Sequence, residues 1–423
     1  MSINTPLGDT LSSFYSGLLA GRSAITRWKG IDTTRVYGKV GADLSGYDRG
    51  AKLSALEKAV EPAVYRRLKK LSGKVPWATQ LSMLVATDAW RDAGLSSDTF
   101  ALDRVGVFVG GHNLNANYLS QEVEQFREEP DFIDGMLALH RLDTDHAGTV
   151  SEVLGARGPI FTVGAACASG NVALRCAVDE IRHHDAQAVV VVGPVLDFEP
   201  LDLHAMSLLG AITYKSFNDT PEKASRPYDT RREGFVPAHG GAALILEDWE
   251  AAQARGAHIW AEVLAVDASA DANHLPQPSQ EGQVALMRKV LKQAKLAPEQ
   301  IDYINAHATS TPLGDLTEIR AIKEVFGPHA FRLKVNATKS MLGHTCWAAA
   351  TVESVAAILQ MHHGSLHPSI NIEELDPEVD VDVCRGQSVK HPVRVLMKNS
   401  FGFGGINCIS LFGAGDGSRK GDA

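Results

Sequence analysis

The stretch "PIFTVGAACASGNVALRCAVDEIRHH", residues 159–184, runs from an extended apolar segment through small residues and one cysteine into an amphipathic helical pattern. A strand, a tight turn and a helix in that order make a nucleophile-elbow arrangement in logic, although the serine-hydrolase G-x-S-x-G pattern is absent. A thiol at Cys167 would lie near a helix N-terminus, where the macrodipole favours thiolate over thiol. Ala165, Ala166, Ala168, Ser169 and Gly170 leave room for a ligand to approach. A free cysteine is also a common small core residue. This segment alone leaves Cys167 as either a nucleophile or an inert buried hydrophobe.

Two further junctions have the same strand-to-helix form. In "IDYINAHATSTPLGDLTEIRAI", from residue 301, a strand ends at Asn305 and His307 follows. The hydroxyls of Thr309, Ser310 and Thr311 suit a polar ligand arm, and a helix is expected from Leu313. Asp315 and Glu318 are read as charges favoured by the N-terminal end of that helix. In "LKVNATKSMLGHTCWAAATVESVAAILQM", Lys339 and His344 fall in a turn before an Ala-rich helix. Lys339 has the alternative of a solvated surface lysine, and His344 that of a helix cap. A histidine at a helix N-terminus is held neutral, and a neutral imidazole can donate one hydrogen bond to a developing oxyanion.

The segment "KNSFGFGGINCISLF", from residue 398, sets four glycines around Phe401 and Phe403, which allows unusual backbone angles and close approach to a ligand. It is not a G-x-G-x-x-G leading into a helix, so a dinucleotide site is not expected. No paired metal-ligand spacing exists, and no metal is expected.

The rest of the chain bounds these readings. At 423 residues it accommodates one large or two medium domains. Hydrophobic and charged contents of 44% and 22% are ordinary for a globular enzyme. A net charge of -9 argues against general binding to nucleic acid or an anionic membrane. Five cysteines without regular spacing form no disulfide framework, and no basic-then-apolar leader opens the sequence. A reduced, cytoplasmic setting is expected. Apolar β-branched runs at 105–110, 188–193, 242–247, 301–305 and 408–412 alternate with helical patterns at 78–94, 169–184, 282–295 and 348–363. That alternation reads as α/β layers around a buried sheet, with an internal boundary after Glu247 and a polar tail "GAGDGSRKGDA".

Taken in order, "TPLGDTLSSFYSGLLAGRSAI", "GARGPIFTVGAACASG", "RPYDTRREGF", "NAHATSTPLGD", "TKSMLGH" and "NSFGFGGIN" resemble the β-ketoacyl-acyl-carrier-protein synthases, including stand-alone synthases of polyketide pathways. The resemblance implies a thiolase-like five-layer α/β/α/β/α fold of two similar halves. Residues 1–247 would carry the nucleophilic cysteine, and residues 248–423 the two histidines and the lysine. It implies decarboxylative Claisen condensation of an acyl group on Cys167 with a malonyl thioester, with no bound cofactor. The phosphopantetheine would arrive on an acyl carrier protein. By the same resemblance His307 and His344 promote decarboxylation, Lys339 supports the charge network, and Glu353 has a mainly structural role. Thr309 and Thr311 hold the pantetheine arm. The backbone N–H groups of Cys167 and Phe403 form the oxyanion hole, and Phe403 is the gate. A homodimer is implied. The basic run "YRRLKKLSGK" fits docking of an acidic carrier through Arg66, Arg67, Lys69, Lys70 and Lys74, or is simply a solvated helix face.

Several positions depart from the family pattern. The short N-terminal strand is missing from the expected elements. Ala308 and Trp347 stand where glycine is usual, and Ile406 where threonine is usual. An indole at 347 would shorten or reshape an acyl pocket. Two alternatives accompany the condensing reading: a malonyl-carrier-protein decarboxylase of a β-branching cassette, and a non-catalytic chain-length-factor-like subunit. Decarboxylases of that kind typically carry serine at the nucleophile position and such subunits lose the cysteine, so Cys167 favours condensation.

Overall fold

The computed structural model describes residues 1–416. Two five-stranded mixed sheets organise it. The first has the spatial order Ser2–Asn4, Gly241–Glu247, Ala188–Gly193, Val105–Gly110, Ile160–Val163. The second has the order Ala261–Ala270, Ile406–Ala414, Val395–Gly402, Tyr303–Asn305, Lys334–Asn336. In each sheet the last three strands are parallel and the first two antiparallel to their neighbours. The two halves therefore repeat one topology.

Helices Ser169–His183 and Ala349–His363 form the central layer between the sheets. Trp77–Asp92 and Thr144–Leu154 cover the outer face of the first sheet. Gln280–Ala294 and Pro312–Phe326 cover that of the second. This is the thiolase-like five-layer arrangement. The residue patterns dictate it. "AVVVVG" at 188–193 is buried at every position, as a strand covered on both faces must be. Ala349 to Met361 is buried all round, which only a helix inside the core tolerates.

Element boundaries differ from the sequence reading in small ways. The 301–305 strand is confined to Tyr303–Asn305, and the 408–412 strand extends to Ile406–Ala414, which takes the start of the polar tail into the sheet. The remainder of that tail, from residue 417, lies outside the described residues. One expectation is corrected. The N-terminal edge strand is present as Ser2–Asn4, paired antiparallel with Gly241–Ala243. Three residues are too few for a period-2 pattern to register.

Candidate active site

The Cys167 turn is built by local hydrogen bonding. Strand Ile160–Val163 ends at Gly164, and Ala166 takes a left-handed φ of 45° to turn the chain into helix Ser169–His183. Ser169 locks the turn: its Oγ accepts from Ala165 N at 2.8 Å and donates to Ala166 O at 2.7 Å. Gly170 is required because a Cβ there would meet Thr351 Oγ1 at 2.3 Å, where the two central helices cross. Cys167 is buried. Burial pushes its thiol up to about 11, while Lys339 and the backbone N–H groups of Phe403 and Cys167 pull the other way. Desolvation thus outweighs the helix dipole, and the expected low-pKa thiolate is corrected to a resting thiol.

His307 follows strand Tyr303–Asn305 and is held through its backbone. Glu318 accepts from His307 N and Ala308 N, each at 2.9 Å, and from Asn399 Nδ2 at 2.8 Å. Asp315 accepts from Ser310 N and Tyr228 N, both at 3.0 Å. Asp315 lies in the first turn of helix Pro312–Phe326, as expected, and both carboxylates are buried, where they also cradle the His307 loop. Ala308 has a φ of 31°, the reason glycine suits this position. An L-residue there carries about 1–2 kcal/mol of strain, which the Glu318 bond to its N–H opposes.

Lys339 opens the short helix Lys339–Leu342 and is 2% exposed, not a surface lysine. Its ammonium donates to His307 O at 2.7 Å, sits 3.4 Å from His307 Nδ1 and pairs with Glu353. Glu353 also pairs with Lys398 at 2.8 Å. Sequence reasoning gives no role to Lys398 and reads Glu318 only as a helix-terminal acid. Lys398 stood in a quoted segment, but nothing local distinguishes a buried lysine from a solvated one.

His344 Nδ1 accepts from Cys346 N at 3.0 Å, so the proton lies on Nε2, which is buried without a partner. An ammonium can only donate, so the contact of Lys339 with His307 Nδ1 likewise leaves a hydrogen on His307 Nε2. Burial, then the nearby lysines, hold both imidazoles well below the ordinary histidine value. The rings lie 5.4 Å apart at 84°. Cys167 Sγ and one nitrogen of each ring fall within 4.8 Å of one another. That convergence is metal-like, but two adjacent buried ammonium groups disfavour a cation. Two neutral N–H donors beside a thiol suit stabilisation of an enolate or oxyanion.

A cavity of about 280 Å³ leads to Cys167, His307 and His344, lined also by Thr309, Thr311 and Phe403. Thr309 and Thr311 hydroxyls are 3.0 Å apart, and Thr311 caps helix Pro312–Phe326 by accepting from Gly314 N. Gly402 brings the Phe403 segment against the Cys167 turn, since a Cβ there would lie 2.9 Å from Ala165 O. Phe403 is 36% exposed. Trp347 does not line the cavity. It stacks on His112, ring centroids 4.3 Å apart. Ile406 opens the strand that pairs with Ala270 and packs near Cys408.

The five basic residues lie on or just after helix Pro62–Ser72, and none lines the cavity. Arg67 donates to Val153 O at 2.8 Å and Lys70 pairs with Glu152 at 3.3 Å. Lys69 lies 5.8 Å from the Tyr65 ring centroid, and Arg66 and Lys74 are exposed.

Comparison with known proteins places the chain in a family. The family described as "Beta-ketoacyl synthase, N-terminal domain" matches residues 1–252, and "Beta-ketoacyl synthase, C-terminal domain" matches residues 260–373. A 3-oxoacyl-[acyl-carrier-protein] synthase 2 of Coxiella burnetii is 34% identical over 96% of this chain and 95% of its own. A polyketide biosynthesis malonyl-ACP decarboxylase of Bacillus subtilis is 31% identical over 96% of this chain and 93% of its own. Among solved structures, a β-ketoacyl synthase from Burkholderia phymatum superposes with a TM-score of 0.82 at 27% identity, covering 98% of both chains. A ketosynthase bound to the hexaketide, in complex with its type II polyketide acyl-carrier protein, gives 0.85 at 26%, covering 98% of this chain and 97% of that one. An acyltransferase-type site, the repeated fold and these relatives meet in one conclusion: the chain belongs to the β-ketoacyl synthase family.

Proposed function

We propose that the protein condenses an acyl group held on Cys167 with a malonyl thioester delivered by an acyl carrier protein, in fatty-acid or polyketide assembly. The observation that carries this reading is the buried thiol beside two neutral imidazoles, with His344 Nε2 buried and unpartnered, all lining one cavity. The acyl carbonyl carbon bonds to Cys167 Sγ as its bond to the pantetheine sulfur breaks, and the thiol proton ends on the released pantetheine thiol. The N–H groups of Cys167 and Phe403 receive the oxyanion.

Malonyl thioester then enters past Thr309 and Thr311. Its C–CO2 bond breaks, and the electron pair passes to the enolate oxygen between His307 and His344. The enolate carbon attacks the acyl carbon and the Cys167 sulfur leaves. The displaced thiolate takes one proton from solvent, which restores the thiol that burial favours. Lys339 positions His307 and keeps its Nδ1 an acceptor.

The phosphopantetheine arm comes from the carrier, so no resident cofactor is needed. Arg66, Lys69 and Lys74 are the members of the basic helix left free to meet an acidic carrier. Strand Ile160–Val163 is an unpaired sheet edge exposing Ile160 and Phe161, which supports a homodimer joined edge to edge. Among the described residues no helix is long and apolar enough to cross a membrane; with the reduced cysteines, that supports a cytoplasmic setting.

The decarboxylase reading gains from the relative of that name and from Trp347 on the turn packed against that of Cys167. Intact mass of carrier protein after reaction separates the two. A β-ketoacyl carrier formed from malonyl carrier plus an acyl primer supports condensation, while acetyl carrier alone replaces it with decarboxylation. Cys167→Ala should lose the acyl-enzyme and keep decarboxylation; an acyl adduct on that variant would sink the nucleophile role.

A further inference from the structure

We propose that Trp347, stacked on His112, is the specificity-determining residue of this site and restricts the acyl group on Cys167 to short chains. The inference rests on Cys167 being the acyl acceptor. The Cys167 turn and the Trp347 turn are equivalents in the two halves, 180 residues apart. Each is a three-residue turn, Ala166–Ala168 and Cys346–Ala348, containing one left-handed residue, Ala166 at φ 45° and Cys346 at φ 48°. Each leads into a fifteen-residue central helix. The two turns pack against each other. Where the first half presents a thiol, the second presents an indole.

The turn that carries that indole packs against the thiol's own turn, and Trp347 does not line the cavity. His112 lies two residues past the end of strand Val105–Gly110, and its ring stacks on Trp347 at 28°. The same ring borders the Cys167 turn, since a Cβ on Gly164 would lie 3.1 Å from His112 Cδ2. Cys346 and Trp347 pack with Leu196, Phe198 and Ile212 in one apolar cluster. The cavity that reaches Cys167 is lined by none of His112, Cys346 or Trp347. A pantetheine arm therefore has a path to the sulfur, but an alkyl chain beyond the sulfur meets packed side chains. A close-packed interior does not absorb extra methylenes without displacing them. The indole Nε1 has no hydrogen-bond partner, so removing the ring strands no other polar group.

The test is the acyl-enzyme yield over time, by intact mass, with carrier proteins loaded with acetyl, butanoyl, hexanoyl and octanoyl groups. The wild type should acylate from acetyl carrier and react roughly 100-fold slower or worse from octanoyl carrier. Trp347→Ala should narrow that gap at least tenfold while still taking acetyl. Octanoyl loading of the wild type at the acetyl rate overturns the proposal, as does an unchanged chain-length profile in Trp347→Ala. The wild-type profile decides even where that variant folds poorly. Should no carrier acylate Cys167 while malonyl carrier is still decarboxylated, the nucleophile reading itself fails and this inference falls with it.

Discussion

Glu353→Gln probes the charge balance beneath the site. Glu353 is the carboxylate shared by Lys339 and Lys398, and all three side chains are at most 3% exposed. Neutralising it leaves two buried ammonium groups facing an amide. Breaking a buried ion pair from one side costs about 3–5 kcal/mol. At about 2.1 cal/mol/K per residue, 423 residues give an unfolding entropy near 0.9 kcal/mol/K. The expected fall in melting temperature is therefore about 3–6 °C. Lys398→Met should fall less, because it leaves the Lys339–Glu353 pair intact and removes one cation from a site that holds two. Scanning calorimetry of both variants at pH 7.5 measures this. If Lys398→Met were the more damaging, or Glu353→Gln melted within 1 °C of the wild type, the shared-carboxylate argument would be refuted. Malonyl decarboxylation should also drop in Glu353→Gln, since Lys339 loses the partner that holds it under His307.

Three further outcomes follow from the same geometry. Glu318→Gln keeps only one acceptor oxygen for three donors, so the His307 loop shifts; kcat for decarboxylation should fall roughly 100-fold with KM little changed, as measured by steady-state kinetics with malonyl carrier. His146 is buried among Thr79, Ser82 and Asn115 with its pKa lowered to about 3 by desolvation. The folded state resists the proton that the unfolded chain accepts near 6.5, so its contribution is full above 6.5 and lost as pH falls. The stability advantage of wild type over His146→Gln should shrink by up to about 1.4 kcal/mol per pH unit between 6.5 and 5, read from urea midpoints; an advantage independent of pH would contradict the neutral buried assignment. Phe161→Asp places a charge on the free sheet edge and should convert the proposed edge-to-edge dimer to a monomer in sedimentation velocity; an unchanged sedimentation coefficient would remove that edge as the interface.

Residue order alone determined the layered α/β class, because buried strands such as 188–193 and the Ala-rich helix Ala349–His363 betray themselves locally. It also offered Cys167, His307, Lys339 and His344 as candidates at strand-to-helix junctions, with roles that only the family resemblance implied. The partners of those groups were out of reach. Glu318 reads as an ordinary helix-terminal acid, and Lys398 as an ordinary lysine at the start of a glycine-rich segment. Only the tertiary structure decided that Glu318 carries the His307 loop and that Glu353 divides its charge between two lysines. Burial likewise raised the thiol where the helix dipole alone would lower it. The two-half repeat is also tertiary: it lies in strand order and turn shape, not in shared residues. Side-chain type and short-range spacing are properties of the chain, whereas desolvation and long-range pairing exist only once segments hundreds of residues apart exclude water from one another.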